Sequence, residues 1–217
     1  MNYDLYVITD QRISHGKSHL EVAEAAIVGG ATVIQFRDKE MEDAEAIEIC
    51  QKIHKLTKKK GVPFIVNDRI EVAKVIGADG VHLGQEDLPL GFARKVLGKD
   101  KIIGVSIKTV KQALKAVEEG ADYLGVGSIY PTATKSDAGE ALGITRLKEI
   151  KKSVNIPIVA IGGINENNLE EVLWAGADGV AVISAVVTAP DITEACRKLK
   201  TKIECIKEKF NENIRDW

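Results

Sequence analysis

The sequence predicts an α/β protein folded as a single (β/α)8 TIM barrel, on the strength of a phrase that opens four apolar runs and of four further runs between them. The phrase reads Gly30-Ala31-Thr32-Val33-Ile34, Gly77-Ala78-Asp79-Gly80-Val81, Gly120-Ala121-Asp122-Tyr123-Leu124 and Gly176-Ala177-Asp178-Gly179-Val180. Each copy follows a helical pattern. The glycine can end that helix in the left-handed conformation, the small alanine clears the corner, and the apolar residues begin a buried strand. The intervening runs are Leu5-Tyr6-Val7-Ile8, Pro63-Phe64-Ile65-Val66, Lys101-Ile102-Ile103-Gly104-Val105 and Pro157-Ile158-Val159-Ala160-Ile161. The stretches between strands, such as 44–59, 110–119 and 168–175, carry apolar residues at helical spacing with charged faces outward. Eight βα units then fill the chain. A doubly wound open sheet fits less well, because every strand has its own helix and no G-x-G-x-x-G turn follows the first strand.

With 217 residues, 45% of them hydrophobic, the chain is expected to form one domain over residues 1–217, ending in a polar tail that frays from about residue 211. The 30 Lys and Arg against 32 Asp and Glu leave a formal charge of −2, which argues against a nucleic-acid groove or an anionic membrane surface as partner. No leader pattern opens the chain and no apolar run approaches the roughly 18 residues of a spanning helix, so a soluble cytoplasmic protein is expected. A homo-oligomer is compatible with this composition. Cys50, Cys196 and Cys205 lack metal-ligand spacing and read as reduced residues on helices. His15 and His19 are four apart, but Ser18 and Glu21 form a capping-box pattern that places His15 outside the helix and argues against a zinc pair.

The site of such a barrel is built at the C-terminal ends of its strands. Three subsites follow from residue type. Ile161-Gly162-Gly163-Ile164 and Val182-Ile183-Ser184-Ala185 offer backbone N–H groups for a phosphate, the lesser alternative being that the paired glycines form only a tight turn. Arg37 and Lys39 share one face of a strand end and, with Lys135 from a Thr- and Gly-rich loop, suit a diphosphate; the lesser alternative, for Lys39 taken alone, is a solvated surface charge. Asp68 and Asp87 lie on neighbouring units and could share one magnesium ion, though Asp68 could also cap the helix beginning near Arg69. Asp10 and Asp38 fit capping or ion-pair roles. Ser106 is expected to lack a neighbouring His base, and the cysteines lie on helices, so no activated nucleophile is expected.

The stretches Gln35-Phe36-Arg37-Asp38-Lys39, Phe64-Ile65-Val66-Asn67-Asp68-Arg69, Asp79 to Pro89, Ile103-Gly104-Val105-Ser106, Tyr123 to Gly127 with Pro131-Thr132 and Thr134-Lys135, and Ala160 to Ile164 together resemble the thiamine phosphate synthase family from Leu5 to about Asp191. The resemblance implies a transferase of thiamine biosynthesis that condenses hydroxymethylpyrimidine diphosphate with hydroxyethylthiazole phosphate, or its carboxylated form, releasing diphosphate with Mg2+ as cofactor. It assigns the pyrimidine diphosphate to Gln35, Arg37, Lys39, Asn67, Ser106 and Lys135, and the metal to Asp68 and Asp87. Thr132, Ala133, Thr134, Gly163, Ile183 and Ser184 would hold the thiazole phosphate. Of these, Arg37, Lys39, Ser106 and Lys135 would be catalytic. The chain departs from the family pattern at Tyr130, Ala133 and Lys108, where relatives carry Phe, Thr or Lys, and His. The rival readings are a thiazole tautomerase, which needs an acid/base near the fifth strand where this chain has Lys108, and a non-catalytic phosphate-binding barrel.

Overall fold

The computed structural model describes residues 1–134 and 139–215. Among these residues eight parallel strands close a barrel in chain order: β1 (Leu5–Thr9), β2 (Val33–Phe36), β3 (Phe64–Asn67), β4 (Gly80–Leu83), β5 (Ile102–Ile107), β6 (Tyr123–Val126), β7 (Ile158–Ile161) and β8 (Gly179–Val182). The closing seam pairs Leu5 with Val180. The helices are α1 (His19–Val28), α2 (Asp43–Lys60), α3 (Ile70–Ile76), α4 (Leu90–Leu97), α5 (Val110–Glu118), α6 (Gly143–Ser153), α7 (Leu169–Trp174), a short α8 (Ser184–Val187) and α9 (Ile192–Arg215). The expected TIM barrel is therefore present, and α9 continues past Phe210. The strands are buried almost throughout, as a parallel sheet covered by helices requires.

The repeated phrase makes the same corner four times. Gly30, Gly77, Gly120 and Gly176 have φ of 99°, 70°, 89° and 100°, the left-handed region that only glycine enters cheaply. The next residue's N–H then reaches back into the helix just ended: Ala31 to Ala26 O and Ala78 to Ala73 O at 2.9 Å, Ala121 to Ala116 O at 2.9 Å, Ala177 to Val172 O at 3.4 Å. The third residue ties the new strand to the start of its predecessor. Its backbone N–H donates to Leu5, Phe64, Ile103 or Ile158 O, and its side-chain oxygen accepts the N–H of that same residue: Thr32 Oγ1 at 3.1 Å, Asp79 at 2.8 Å, Asp122 at 2.7 Å and Asp178 at 2.8 Å. Asp, or Thr once, is needed there because a buried strand N–H without an acceptor costs about 1–3 kcal/mol. Helix α9 closes this lower end, with Lys200 donating to Asp4 at 2.7 Å and Lys207 donating to Asp4 and to Asp178 O.

At α1 the capping box between Ser18 and Glu21 is formed, and His15 lies outside the helix with φ of 54°. His19 is buried, its Nδ1 2.7 Å from Thr9 Oγ1 and its Nε2 3.2 Å from Asp38. Cys50 and Cys196 are buried and Cys205 is exposed.

Candidate active site

The upper ends of the strands surround a cavity of about 460 Å3. Arg37, Lys39, Asn67, Asp68, Asp87, Ser106, Thr132, Thr134, Gly163, Ile183 and Ser184 all line it. Of the described sequence-derived residues, Gln35 and Ala133 do not. Gln35 lies one layer deeper, on a cavity of about 20 Å3 beneath the first; Ala133 is exposed outside the cavity; Lys135 falls outside the described residues.

Arg37 is held in place from below. Its guanidinium lies 3.6 Å from the buried carboxylate of Asp10, which also accepts the N–H of Arg12 and pairs with its side chain. Asp10 thus has the capping and ion-pair role expected of it, as does Asp38, which accepts the N–H groups of Glu40 and Met41. Arg69 braces the same loop by donating to Asp38 O at 2.9 Å. Lys39, on that loop, reaches within 3.9 Å of Asp68.

Asp68 takes φ of 60°, a conformation that a residue with a Cβ holds at a cost, while its N–H donates to His82 O at 2.9 Å. Its side chain does not cap α3, whose N-cap is Arg69 without a side-chain bond. The carboxyl is aimed at Asp87 instead. Burial first, and then the hydrogen bond and negative charge of Asp87, push the Asp68 carboxyl up to about 7, against the opposing pull of Lys39 and Arg37. Asp87 is fixed by accepting Gly84 N–H at 2.6 Å. Two carboxylates pressed together on adjacent strand ends, beside two cations, are a donor set suited to a hard divalent ion.

Across the cavity, Gly162 and Gly163 have φ of 101° and 65°, and neither position admits a side chain. A Cβ on Gly162 would lie 2.2 Å from Ser128 Oγ, and one on Gly163 would lie 2.7 Å from Pro131 O. The pair is both the tight turn and the bare lining anticipated as alternatives. The loop from β6 is pinned where it leaves and re-enters the barrel, by Tyr130 N–H to Gly162 O and by Leu142 N–H to Ser128 O. Tyr130 points outward and donates to Glu171 at 2.9 Å, so its departure from the family pattern leaves the cavity lining unchanged. Of the other two departures, Ala133 also lies off the cavity and Lys108 lines it.

A family model described as thiamine monophosphate synthase matches residues 5–186. The chain belongs to the thiamine monophosphate synthase family. Within that family it is 51% identical over 209 residues to the thiamine-phosphate synthase of Chloroflexus aurantiacus, covering 96% of each chain. It is 53% identical over 203 residues to that of Methanocella arvoryzae, covering 94% of this chain and 96% of the relative. The solved thiamine phosphate pyrophosphorylase of Pyrococcus furiosus superposes with a TM-score of 0.88 at 44% identity, over 94% of this chain and 97% of the other.

Against this synthase pattern the structure adds residues that the sequence reading did not single out, and it makes one correction. His82 lines the cavity and its Nε2 lies 2.8 Å from Ser106 Oγ, so Ser106 does have a histidine neighbour. The two are 24 positions apart in the chain but sit on adjacent strands, where His82 pairs with Gly104. Gln85 also reaches this strand, donating to Ser106 O at 2.7 Å.

Proposed function

We propose that this chain is a transferase that joins hydroxymethylpyrimidine diphosphate to hydroxyethylthiazole phosphate, giving thiamine phosphate and diphosphate. The observation that carries the reading is a single cavity with two unlike walls, suited to two different anions: the Asp68–Asp87 pair facing Arg37 and Lys39 on one, and the bare turn Gly162–Gly163 with Ser184 on the other.

Asp68 and Asp87 would hold a magnesium ion, whose chemistry is to neutralise charge on the oxygens of the diphosphate. Arg37, anchored by Asp10, presents a fixed guanidinium at the same end, and Lys39 and Lys135 add positive charge where the leaving group becomes more negative. Gln35, Asn67 and Ser106 orient the pyrimidine. Thr132, Thr134, Gly163, Ile183 and Ser184 receive the thiazole phosphate; Ala133 could contribute only its backbone. The exocyclic CH2 of the pyrimidine resembles a benzylic carbon on an amino-substituted ring, so diphosphate departs first and the thiazole nitrogen attacks the delocalised cation. No side chain need act as nucleophile. Burial pushes the Cys50 and Cys196 thiols up to about 12, and neither lines the cavity.

Activity in a soluble compartment accords with the described residues, in which no helix is long and apolar enough to cross a membrane. Incubating the protein with both phosphorylated heterocycles and Mg2+ is expected to yield thiamine phosphate and diphosphate. An absence of product across pH and temperature would end this reading. An electron-withdrawing substituent on the pyrimidine is expected to slow the chemical step; acceleration would favour direct displacement over departure of diphosphate first.

A further inference from the structure

Beneath the main cavity, five side chains cross the barrel in one unbroken line. Gln35 Nε2 donates to Tyr6 Oη at 2.8 Å; Tyr6 Oη lies 2.8 Å from Tyr123 Oη; Tyr123 Oη lies 2.9 Å from His82 Nδ1; His82 Nε2 lies 2.8 Å from Ser106 Oγ. Neighbouring strands make room for it. A Cβ on Gly104 would sit 2.1 Å from the Tyr123 ring, and one on Gly125 would sit 2.8 Å from His82. Glycines inside strands weaken them, so their presence here marks space kept for these rings.

The line has a direction. Tyr6 is fully buried and accepts from Gln35, so its own hydrogen goes to Tyr123. Tyr123, accepting that bond, gives its hydrogen to His82 Nδ1, which leaves the His82 proton on Nε2, donated to Ser106. The Ser106 hydroxyl is then a donor toward the cavity. At the other end Gln35 Oε1 is buried and has no hydrogen-bond partner among the described residues. Reversing any one bond requires reversing all of them and flipping the Gln35 amide, so one end always accepts while the other donates.

We propose that Tyr6, Tyr123 and His82 are positioning residues that force opposite hydrogen-bonding polarity on Gln35 and Ser106, and so select a ligand edge carrying one donor beside one acceptor. This rests on the functional reading above, in which the substrate is a pyrimidine whose amino group, a donor, adjoins a ring nitrogen, an acceptor. A 4-methoxy analogue offers acceptors at both places and cannot satisfy the coupled pair.

The test compares transfer from the 4-amino and 4-methoxy pyrimidine diphosphates in the wild type and in Tyr123→Phe, whose lost hydroxyl lies outside the main cavity. With the line broken, Gln35 can turn its amide to donate while Ser106 still donates. The preference for amino over methoxy in kcat/KM is expected to fall by about tenfold or more, with the KM for thiazole phosphate within about twofold. An unchanged preference, even with lower activity or stability, would overturn the relay. A measurement independent of turnover is 15N NMR of His82, assigned by loss of its signals in His82→Gln. The ring is expected to be neutral with its proton on Nε2, and a doubly protonated ring, which would donate at both nitrogens and uncouple the two ends, would overturn the proposal. A wild type that makes no thiamine phosphate would sink the functional reading, and the NMR result would then decide the relay by itself.

Discussion

The two ends of this barrel are built by opposite rules. At the lower end the same bond is made four times, with Thr32, Asp79, Asp122 and Asp178 each accepting an N–H at the start of the preceding odd-numbered strand. At the upper end no two strands finish alike: Arg37 and Lys39 follow β2, Asn67 and Asp68 end and follow β3, Ser106 lies in β5, and paired glycines follow β7. A recurring physical demand, an unpaired N–H at each corner, yields a recurring residue. A bound molecule with dissimilar parts makes a different demand at every strand, and the upper end also keeps the strain at Asp68 that the lower end confines to glycine.

The largest expected effect is at the upper end. Asp87→Asn retains an oxygen that can accept Gly84 N–H but removes the charge that acts with Asp68. Turnover is expected to fall by about a hundredfold or more, while the dissociation constant for thiazole phosphate, measured by calorimetry, stays within about twofold. A comparable loss of thiazole affinity would erase the distinction between the two proposed anion sites. A Gly163 variant is a poorer probe, because any side chain there also collides with Pro131 and Tyr130.

Asp122→Ala should do the reverse at the lower end. It strips the Ile103 N–H of its acceptor and Arg94 of the carboxylate it pairs with, though not of its backbone acceptors, costing about 1–2 kcal/mol, or roughly 2–8 °C in melting temperature for a domain of this size. Both KM values and kcat are expected to remain within about twofold. Loss of activity without loss of stability would show that the lower end is not merely structural.

The smallest effect is a pH dependence at Asp4. Burial raises its carboxyl, but hydrogen bonds and charge from Lys200 and Lys207 outweigh that, so the group ends below the usual carboxylate range. A depressed carboxyl contributes stability that is fully present above the unfolded pKa and is lost as the pH falls through the folded one. Asp4→Asn is therefore expected to be less stable than the wild type near neutrality, by on the order of 1 kcal/mol, and to converge with it below about pH 4. Parallel melting curves from neutral to acid pH would contradict this.

Most of the lower end was legible in advance, because a Gly-Ala-Asp corner is a local event whose residues are contiguous. The upper end was legible where the chemistry lies in charge: Arg37, Asp68 and Asp87 declare themselves by type and by their place after strands. His82 did not. Alternation along Gly80-Val81-His82-Leu83 indicates that it shares a face with Gly80, but its distance from Ser106 depends on the stagger between β4 and β5, which no single strand records. Tyr6 and Tyr123 were hidden differently, as members of apolar runs whose rings supply the burial and whose hydroxyls supply the line of bonds. Gln35 was assigned to the pyrimidine by resemblance; its depth, a layer below Arg37, follows from its position two residues earlier on the same strand face.

The four lower clamps also bear on how the chain comes together in time. They join residues 27, 15, 19 and 20 apart, so each pair of strands can lock as soon as its own helix has formed. The bonds of Lys200 and Lys207 to Asp4 span 196 and 203 residues and cannot form until the whole chain is present. Assembly would proceed by quarters, with α9 arriving last as the seal across the β1–β8 seam. In pulsed hydrogen exchange during refolding, the amides of Phe64, Ile103 and Ile158 are expected to gain protection before that of Val180, which donates to Asp4 O across the seam. Simultaneous protection of all four would mean that the barrel closes in one step.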